Sequence, residues 1–122
     1  MKVYYVNTNK SNCKKCYEMM LNQNRVISWY NTQLQNIKKG DLILLYHNDK
    51  GFIGVGFAIT KMKDSYECEN EHFVEVKWIL KTFDNPIQAN NIDFKGMFNK
   101  TAQVCSINFE KLFEEISKRI KD

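Results

Sequence analysis

The sequence predicts a single α+β domain over residues 1–122, built around one β-hairpin. The first observation is the hairpin itself, in which the apolar run Leu42–His47 is followed by a turn-forming segment and by a second strand, Phe52–Thr60. The second is Phe109–Ile120, whose apolar residues recur at helical spacing. The third is the length of 122 residues, which fits one domain with its own core.

Shorter elements are predicted before the hairpin. Lys2–Val6 is rich in β-branched and aromatic residues and is typical of a strand. Cys13–Leu21 fits a short amphipathic helix, and Arg25–Tyr30 is a short apolar segment that we expect to be irregular. Asn31–Asn36 can form one helical turn, and Gly40 supplies the backbone freedom of the turn that begins the hairpin.

A strand and several connections are predicted after the hairpin. Lys63–Glu71 is polar and acidic, which is typical of a connection, and Phe73–Thr82 has the composition of a long strand. Phe83–Asn91 contains the only proline of the sequence and is predicted to be a loop. Ile92–Asn99 can form a short helix, and Thr101–Ile107 a last short strand.

The predicted final helix begins after Asn108, whose side chain can cap the first turn. Apolar residues of this helix share one face, and we expect that face to pack on the core. They are Leu112, Phe113, Ile116 and Ile120.

Two glycines mark the second strand of the hairpin. Gly54 and Gly56 are two positions apart, so they lie on the same face of the strand. Glycine inside a strand marks a bulge, a bend, or the close approach of a ligand or another backbone. The pair indicates either a strand that coils tightly, as small barrels require, or room for a ligand.

The charge balance permits a polyanionic partner without requiring one. The formal net charge is +4 and the sequence pI is about 8.8. Lysines occur in pairs at Lys14–Lys15 and Lys38–Lys39, and Lys61 and Lys63 flank Met62. They are either part of a solvated surface or contacts for phosphates.

Targeting and metal-binding signals are weak. No segment resembles a secretory signal, and no apolar run approaches the roughly 20 residues that span a bilayer. We therefore expect a cytoplasmic protein with reduced cysteines and no membrane partner. Cys13 and Cys16 have C-x-x-C spacing, but neither Cys68 nor Cys105 has a second cysteine at metal spacing, so no metal or cofactor is expected.

Aromatic residues at the ends of predicted elements are the best candidates for a binding site. Trp29, Tyr46 and Trp78 can stack on a nucleobase or surround a methylated group, and Tyr30 directly follows Trp29. Packing in the core is the alternative interpretation of Trp78.

The hairpin resembles the EVE family of the PUA-like superfamily, which also contains the YTH and ASCH domains. The residues that carry the resemblance are Gly40, Asp41, Tyr46, His47, Gly54 and Gly56. The order of the other elements fits along most of the chain. The segments Val3–Thr8 and Arg25–Asn36 depart from the family pattern, because they lack its opening Trp-Leu strand and its Val-Arg-Asn motif.

The resemblance implies a PUA-like β-pseudo-barrel of about five to six strands with flanking helices. It also implies a pocket that takes a flipped, modified base from DNA or RNA. The chain looks closer to the EVE-like reader modules of modification-dependent restriction systems, which implies a restriction-system protein as a further partner.

From these observations we expect a nucleic-acid-binding module that recognises a modified base, for example a methylated one, in an aromatic pocket. Amide and imidazole groups can read base edges by hydrogen bonds. The expected base-binding residues are Asn7, Trp29, Tyr30, Asn31, Tyr46, His47 and Trp78. The expected phosphate contacts are Lys38, Lys39 and Lys61.

Two other functions stay open. An ASCH-like small amidohydrolase acting on modified nucleosides would need Lys, Thr and Glu in one pocket, for which Lys77, Thr60 and Glu75 are candidates. A protein-interaction or specificity subunit would be favoured if Trp29 and Trp78 were fully buried.

Overall fold

A curled mixed sheet forms the centre of the molecule. The computed structural model describes residues 1–8, 16–29, 33–64, 71–97 and 102–120, without the side chains of Cys16, Trp29 and Gln33. The strands in these ranges are β1 (Val3–Asn7), β2 (Arg25–Trp29), β3 (Leu42–His47), β4 (Gly51–Ala58), β5 (Lys63–Asp64), β6 (Glu71–Lys81) and β7 (Ala102–Cys105). The helical elements are α1 (Cys16–Asn22), α2 (Phe109–Arg119) and the 3₁₀ turns Gln33–Asn36 and Ala89–Ile92.

The sheet has the strand order β2-β6-β4-β3-β1-β7, and β5 pairs with β6 outside this path. β1 and β3 are parallel, whereas the other pairs in the described ranges are antiparallel. The sheet curls into a half-barrel with helices against it, which confirms the predicted α+β pseudo-barrel. The described ranges contain seven strands rather than five to six, because β2 and β5 both pair with the first half of β6.

Apolar side chains are buried on both faces of β1 and β3. Tyr4 and Val6 belong to the core cluster that packs against α1 and β2. Val3 and Tyr5 belong to the cluster that packs against α2 and the turn Ala89–Ile92. The first four residues of β3 are all buried, in agreement with the uninterrupted apolar run at the start of Leu42–His47 in the sequence.

The parallel pairing of β1 and β3 brings like ends of the two strands together. Val3 pairs with Leu42 at one end, and Asn7 pairs with Tyr46 at the other. We call the end at Val3 and Leu42 the amino edge, and the end at Asn7 and Tyr46 the carboxyl edge. The chain returns from the carboxyl to the amino edge through α1, β2 and the first 3₁₀ turn, as a parallel connection requires.

Gly40 and Asp41 fasten the turn at the amino edge. Gly40 has a φ of +94°, a conformation that favours glycine, and its N–H donates to the carbonyl of Ala58. The Asp41 carboxylate accepts the backbone N–H groups of Lys2, at 3.0 Å, and of Lys38, at 2.9 Å. The Gly-Asp pair therefore joins the start of β1, the turn before β3 and the end of β4.

Three sequence-based assignments are wrong in detail. Arg25–Trp29 is a regular strand rather than an irregular segment, because β6 extends past β4 and supplies a pairing partner. The connection Lys63–Glu71 contains the short strand β5. A helix is predicted at Ile92–Asn99, but the 3₁₀ turn Ala89–Ile92 ends at Ile92, because Asp93 adopts a φ of +51°. Lys95 then forms an isolated β-bridge with Ser106, and residues 98–99 lie outside the described ranges.

The apolar face of α2 is only partly used for packing. Leu112 is buried and Ile116 packs against the core, but Phe113 and Ile120 are 61% and 62% exposed, contrary to prediction. Glu115 occupies part of the inner face instead, where it accepts hydrogen bonds from Lys118 at 2.7 Å and Asn91 at 3.3 Å. No helix in the described part of the chain is long and apolar enough to cross a membrane.

Candidate functional site at the carboxyl edge

A polar network lies at the carboxyl edge, where β1 ends beside β3. Asn7 is 2% exposed, and its amide donates to the Tyr5 hydroxyl at 2.7 Å and to Asn48 Oδ1 at 3.3 Å. The hydroxyl of Thr8 lies 2.7 Å from Nδ1 of His47. The parallel register of β1 and β3 is what brings these side chains together, although they are about 40 positions apart in the sequence.

The two neighbouring residues at the end of β3 face opposite sides of the sheet. Tyr46 packs against Tyr5, with ring centroids 5.7 Å apart, and edge-on against Phe52 at 5.2 Å. His47 faces the other side, where its ring lies 4.7 Å from Tyr17 and 6.1 Å from Phe83. The carboxyl edge therefore has an aromatic group on each face of the sheet.

Tyr17 and Phe83 form a parallel stack beside His47. Their centroids are 4.7 Å apart with an interplanar angle of 2°. The ammonium group of Lys50 lies 4.6 Å from the centroid of Phe83, within cation–π distance. Three separate elements thus contribute to this cluster: α1, the turn after β3 and the segment after β6.

The imidazole of His47 and the hydroxyl of Tyr5 at the carboxyl edge are held in neutral forms. Burial, followed by the positive charge of Lys50, lowers the pKa of His47, while Asp49 opposes the shift in part. Burial raises the pKa of Tyr5 to about 12, so its hydroxyl stays protonated at neutral pH. Neutral imidazole, amide and hydroxyl groups can each donate and accept hydrogen bonds, which suits the recognition of an uncharged polar ligand.

The space above the two glycines of β4 is filled by Trp78. A Cβ atom on Gly54 would lie 3.1 Å from the Trp78 ring, and one on Gly56 would lie 2.9 Å from it and 2.5 Å from the Lys77 carbonyl oxygen. The strand is also bulged between Val55 and Gly56. The glycines therefore permit close packing and tight coiling of the strand, and the alternative of room for a ligand is wrong at this position.

Trp78 is integrated into the core side of the sheet. It is half-buried, and its indole N–H donates to the Met20 carbonyl at 3.1 Å. Within the described residues, no ring contact joins Trp78 to Tyr46 or His47. Trp29 ends β2 opposite Glu71, but its side chain lies outside what the structure describes, as do Tyr30 and Asn31.

The lysines predicted to contact phosphate lie at the amino edge rather than beside the base-binding candidates. Lys38 and Lys61 line a surface depression of about 410 Å³, together with Lys2. Lys39 is exposed in the same turn but does not line the depression. The structure thus brings Asn7, Tyr46 and His47 together at one edge and places the three predicted phosphate contacts at the other, two of them in the depression.

The residues considered for amidohydrolase chemistry have structural contacts of their own. The Thr60 hydroxyl accepts the backbone N–H of Glu75 at 3.2 Å. The Glu75 carboxylate pairs with Lys63 at 3.3 Å, and both side chains are well exposed. Lys77 is exposed on β6.

The described residues contain no cluster of potential metal ligands. In the ranges that the structure describes, no three His, Cys, Asp or Glu side chains converge as metal ligands. Cys13 and Cys68 lie outside these ranges. Burial raises the pKa of the Cys105 thiol to about 12, so this group stays protonated at neutral pH.

Sequence reasoning missed four contributors to the carboxyl edge: Thr8, Tyr17, Lys50 and Phe83. Thr8 follows Asn7 directly, so the parallel pairing of β1 with β3 would have been the signal for it. The sequence predicts a helix at Tyr17 and a loop at Phe83 and indicates no partner for either. Nothing in their local sequence indicates that they stack on each other.

Comparison with known proteins supports the fold. No protein-family model matches this chain, and no curated protein matches it. Among solved structures, the YTH domain of Zygosaccharomyces rouxii MRB1, solved in complex with N6-methyladenosine RNA, has a TM-score of 0.58 and 14% sequence identity, over 99% of this chain and 87% of that one. The NMR structure of Rpa0253 from Rhodopseudomonas palustris has a TM-score of 0.57 and 12% identity, over 100% of this chain and 97% of that one. The chain therefore has a YTH-like β-pseudo-barrel fold, in agreement with the wider PUA-like resemblance.

Proposed function

We propose that this chain is a nucleic-acid-binding module that recognises a modified base, with a methylated base in RNA as the first candidate. The observation that carries the proposal is the likeness, over 99% of the chain, to a YTH domain that was solved with N6-methyladenosine RNA. The carboxyl edge adds chemical support, because it combines aromatic rings with neutral hydrogen-bonding groups. A restriction-system partner stays a prediction.

The proposed base contacts are divided between rings and polar groups. Tyr46 supplies a ring for stacking at the carboxyl edge. Trp29 pairs with Glu71, on the amino-edge side of β6, so Trp29 and Tyr30 are proposed to stack on a neighbouring base of the nucleic acid rather than to share a cage with Tyr46. Asn7, Asn31 and His47 supply hydrogen bonds to base edges. Trp78 is proposed to shape the barrel wall from the core side, since its indole N–H is already bonded to the Met20 carbonyl.

The neutral hydrogen-bonding groups of the site are consistent with a base as ligand. A nucleobase is an uncharged, flat group with donors and acceptors on its edges, and its methylated form adds apolar surface. Burial that holds His47 neutral leaves one ring nitrogen beside the Thr8 hydroxyl and the other for a ligand or solvent. The net charge of +4 and the Lys50 ammonium beside Phe83 favour approach of a polyanion, while the hydrogen-bonding groups of the site stay neutral.

A binding titration tests the proposal. Fluorescence anisotropy should compare single-stranded RNA of about nine nucleotides carrying one N6-methyladenosine with the same RNA carrying adenosine, and the corresponding DNA pair. We expect tighter binding of a modified strand. Trp29→Ala should weaken it about 5- to 150-fold, as expected for the loss of a ring worth about 1–3 kcal/mol.

The matched control is Phe113→Ala, which removes an aromatic ring that is 61% exposed on α2. This variant should bind as the unaltered protein does. The proposal would be overturned if modified and plain strands bound equally, or if Trp29→Ala and Phe113→Ala behaved alike while both variants kept the unfolding midpoint of the parent.

A further inference from the structure

A lysine-lined depression occupies the amino edge, at the opposite end of the β1–β3 pair from the proposed base site. Its volume is about 410 Å³. The residues around it that matter for its chemistry are Lys2, Lys38, Lys61, Tyr4, Asn36 and Val104. The depression thus combines three cationic side chains with an apolar and amide-containing wall.

The three lysines lack acidic partners. Lys2, Lys38 and Lys61 are exposed, and none of them lies within ion-pair distance of a carboxylate in the described ranges. Other lysines do form such pairs, for example Lys111 with Asp93 at 3.0 Å. Like charges that converge without counter-charges raise the local positive potential and attract anions.

Asp41 holds two of these lysines in place without neutralising their side chains. Each of its carboxylate oxygens accepts a backbone N–H, one from Lys2 and one from Lys38. The backbone of Asp41 also pairs with Ala58, at the end of β4, three residues before Lys61. Even with the charge of Asp41 subtracted, the site keeps two net positive charges.

We infer that Lys2, Lys38 and Lys61 form a phosphate-binding site that engages the backbone of a nucleic acid strand, with Asp41 as its positioning residue. The inference rests on the proposed function for the identity of the polyanion. It extends the proposed base recognition by giving the bound nucleic acid strand a second contact point on the protein. Phosphate contacts fix register and add affinity, but they carry no sequence information.

The distance between the two edges sets a length requirement on the ligand. The five residues of β1 extend about 16 Å at about 3.3 Å per residue. A single modified nucleotide at the carboxyl edge cannot reach the lysines, whereas a strand of about nine nucleotides can. Occupancy of the lysine site should therefore appear only with longer strands.

The test is the salt dependence of binding by a charge-removing double variant. Lys38→Gln with Lys61→Gln should reduce the slope of log affinity against log salt by about 1.4 for a nine-nucleotide strand, at about 0.7 per lost phosphate contact. A slope difference of about 1.4 corresponds to about a 25-fold loss of affinity relative to the parent at 0.1 M salt, when the affinities of the two proteins are taken as equal at 1 M. Binding of a modified mononucleotide should not change.

The matched control removes two exposed lysines elsewhere, by Lys77→Gln with Lys95→Gln, and changes the net charge equally. The inference is overturned if both double variants change the slope by the same amount, because only the total charge would then matter. It is also overturned if the Lys38 and Lys61 variant weakens the mononucleotide and the long strand equally.

Two further arms separate this inference from the proposed function. Equal binding of modified and plain strands with a reduced slope in the Lys38 and Lys61 variant would remove the base-reading function and keep the phosphate site. Tighter binding of the modified strand, together with an unchanged salt slope in the Lys38 and Lys61 variant, would keep the base-reading function and remove the phosphate site. Competition by inorganic phosphate without dependence on strand length would identify a site for free phosphate and overturn the backbone assignment.

Discussion

The two edges of the β1–β3 pair differ in the kind of chemistry they offer. At the carboxyl edge, the Asn7 amide bonds to Tyr5 and Asn48, and the Thr8 hydroxyl lies beside His47, all of them among aromatic rings. At the amino edge, Lys2 and Lys38 are positioned by Asp41 beside a surface depression. The buried strands between the edges keep them apart. The residues that select a base and the residues that attract a polyanion can therefore lie at different edges of one small domain, so that each set can be mutated without changing the other.

The largest expected effect is that of Asp41→Ala, which removes the acceptor of two backbone N–H groups at the amino edge. Hydrogen bonds to a charged group contribute about 1.5–3 kcal/mol each, so the free energy of unfolding should fall by about 3 kcal/mol. Urea denaturation measures it. Asp41→Asn, which keeps one acceptor oxygen, should lose less.

Asp84→Ala is the control for this variant, since Asp84 is an exposed carboxylate in a turn. It should change stability by less than about 0.5 kcal/mol. A loss for Asp41→Ala no greater than that of Asp84→Ala would show that the carboxylate does not fasten the amino edge.

An intermediate effect is expected for Asn7→Ala at the carboxyl edge. The Asn7 amide is buried and donates to Tyr5 and Asn48, so its removal should cost about 1–2 kcal/mol of stability and should reduce discrimination between modified and plain strands. Asn90→Ala, which alters an exposed amide, serves as the control. Unaltered discrimination in a folded Asn7→Ala protein would contradict a base-reading role for this residue.

The smallest expected effect is a pH dependence that belongs to the carboxyl edge. Burial lowers the pKa of His47 below its ordinary value of 6.5, so the unfolded chain binds this proton more readily than the folded protein. The free energy of unfolding should therefore decrease as the pH falls through 6.5 and should be insensitive to His47 well above it. Denaturation curves between pH 8 and pH 5 would measure the change.

His47→Gln should remove this part of the pH dependence, and His72→Gln, at an imidazole 2.7 Å from the Asp64 carboxylate, should not. Measurements stay above pH 5 because the pKa of Glu115 is lowered by its hydrogen bond with Lys118, and its contribution is lost in more acidic solution. An identical pH profile for the parent and His47→Gln would mean that the imidazole is not held neutral.

The sequence predicted those parts of the fold that depend on local patterns. The hairpin Leu42–His47 to Phe52–Thr60 has strand composition, a turn and a glycine-marked second arm, and the structure places β3 and β4 there. Arg25–Trp29 could not be recognised as a strand, because its partner is the distant first half of β6. The prediction for the inner face of α2 is wrong because helical periodicity places the apolar residue Phe113 on that face. Periodicity also does not show that Glu115 can be buried there through its ion pairs with Lys118 and Arg119.

The sequence predicts individual residues of the candidate site but not which of them lie together. Asn7 and His47 were named separately from their chemical types, and only the parallel register explains why Thr8 meets His47. The lysines were named as a group, but their distance from the base candidates depends on the position of Gly40 and Asp41 at the opposite edge. Contacts between remote segments, such as Tyr17 with Phe83, leave no periodic signal in a single sequence.

The pairing of β1 with β7 has a consequence for the order in which the domain is assembled. Val3 pairs with Cys105, about one hundred positions away, so the first strand gains its second neighbour only after nearly all of the described chain has been synthesised. Contacts of such long range slow folding and leave strand edges exposed in the meantime. The same strand that separates the two edges in the finished protein is therefore among the last to be enclosed as the domain folds.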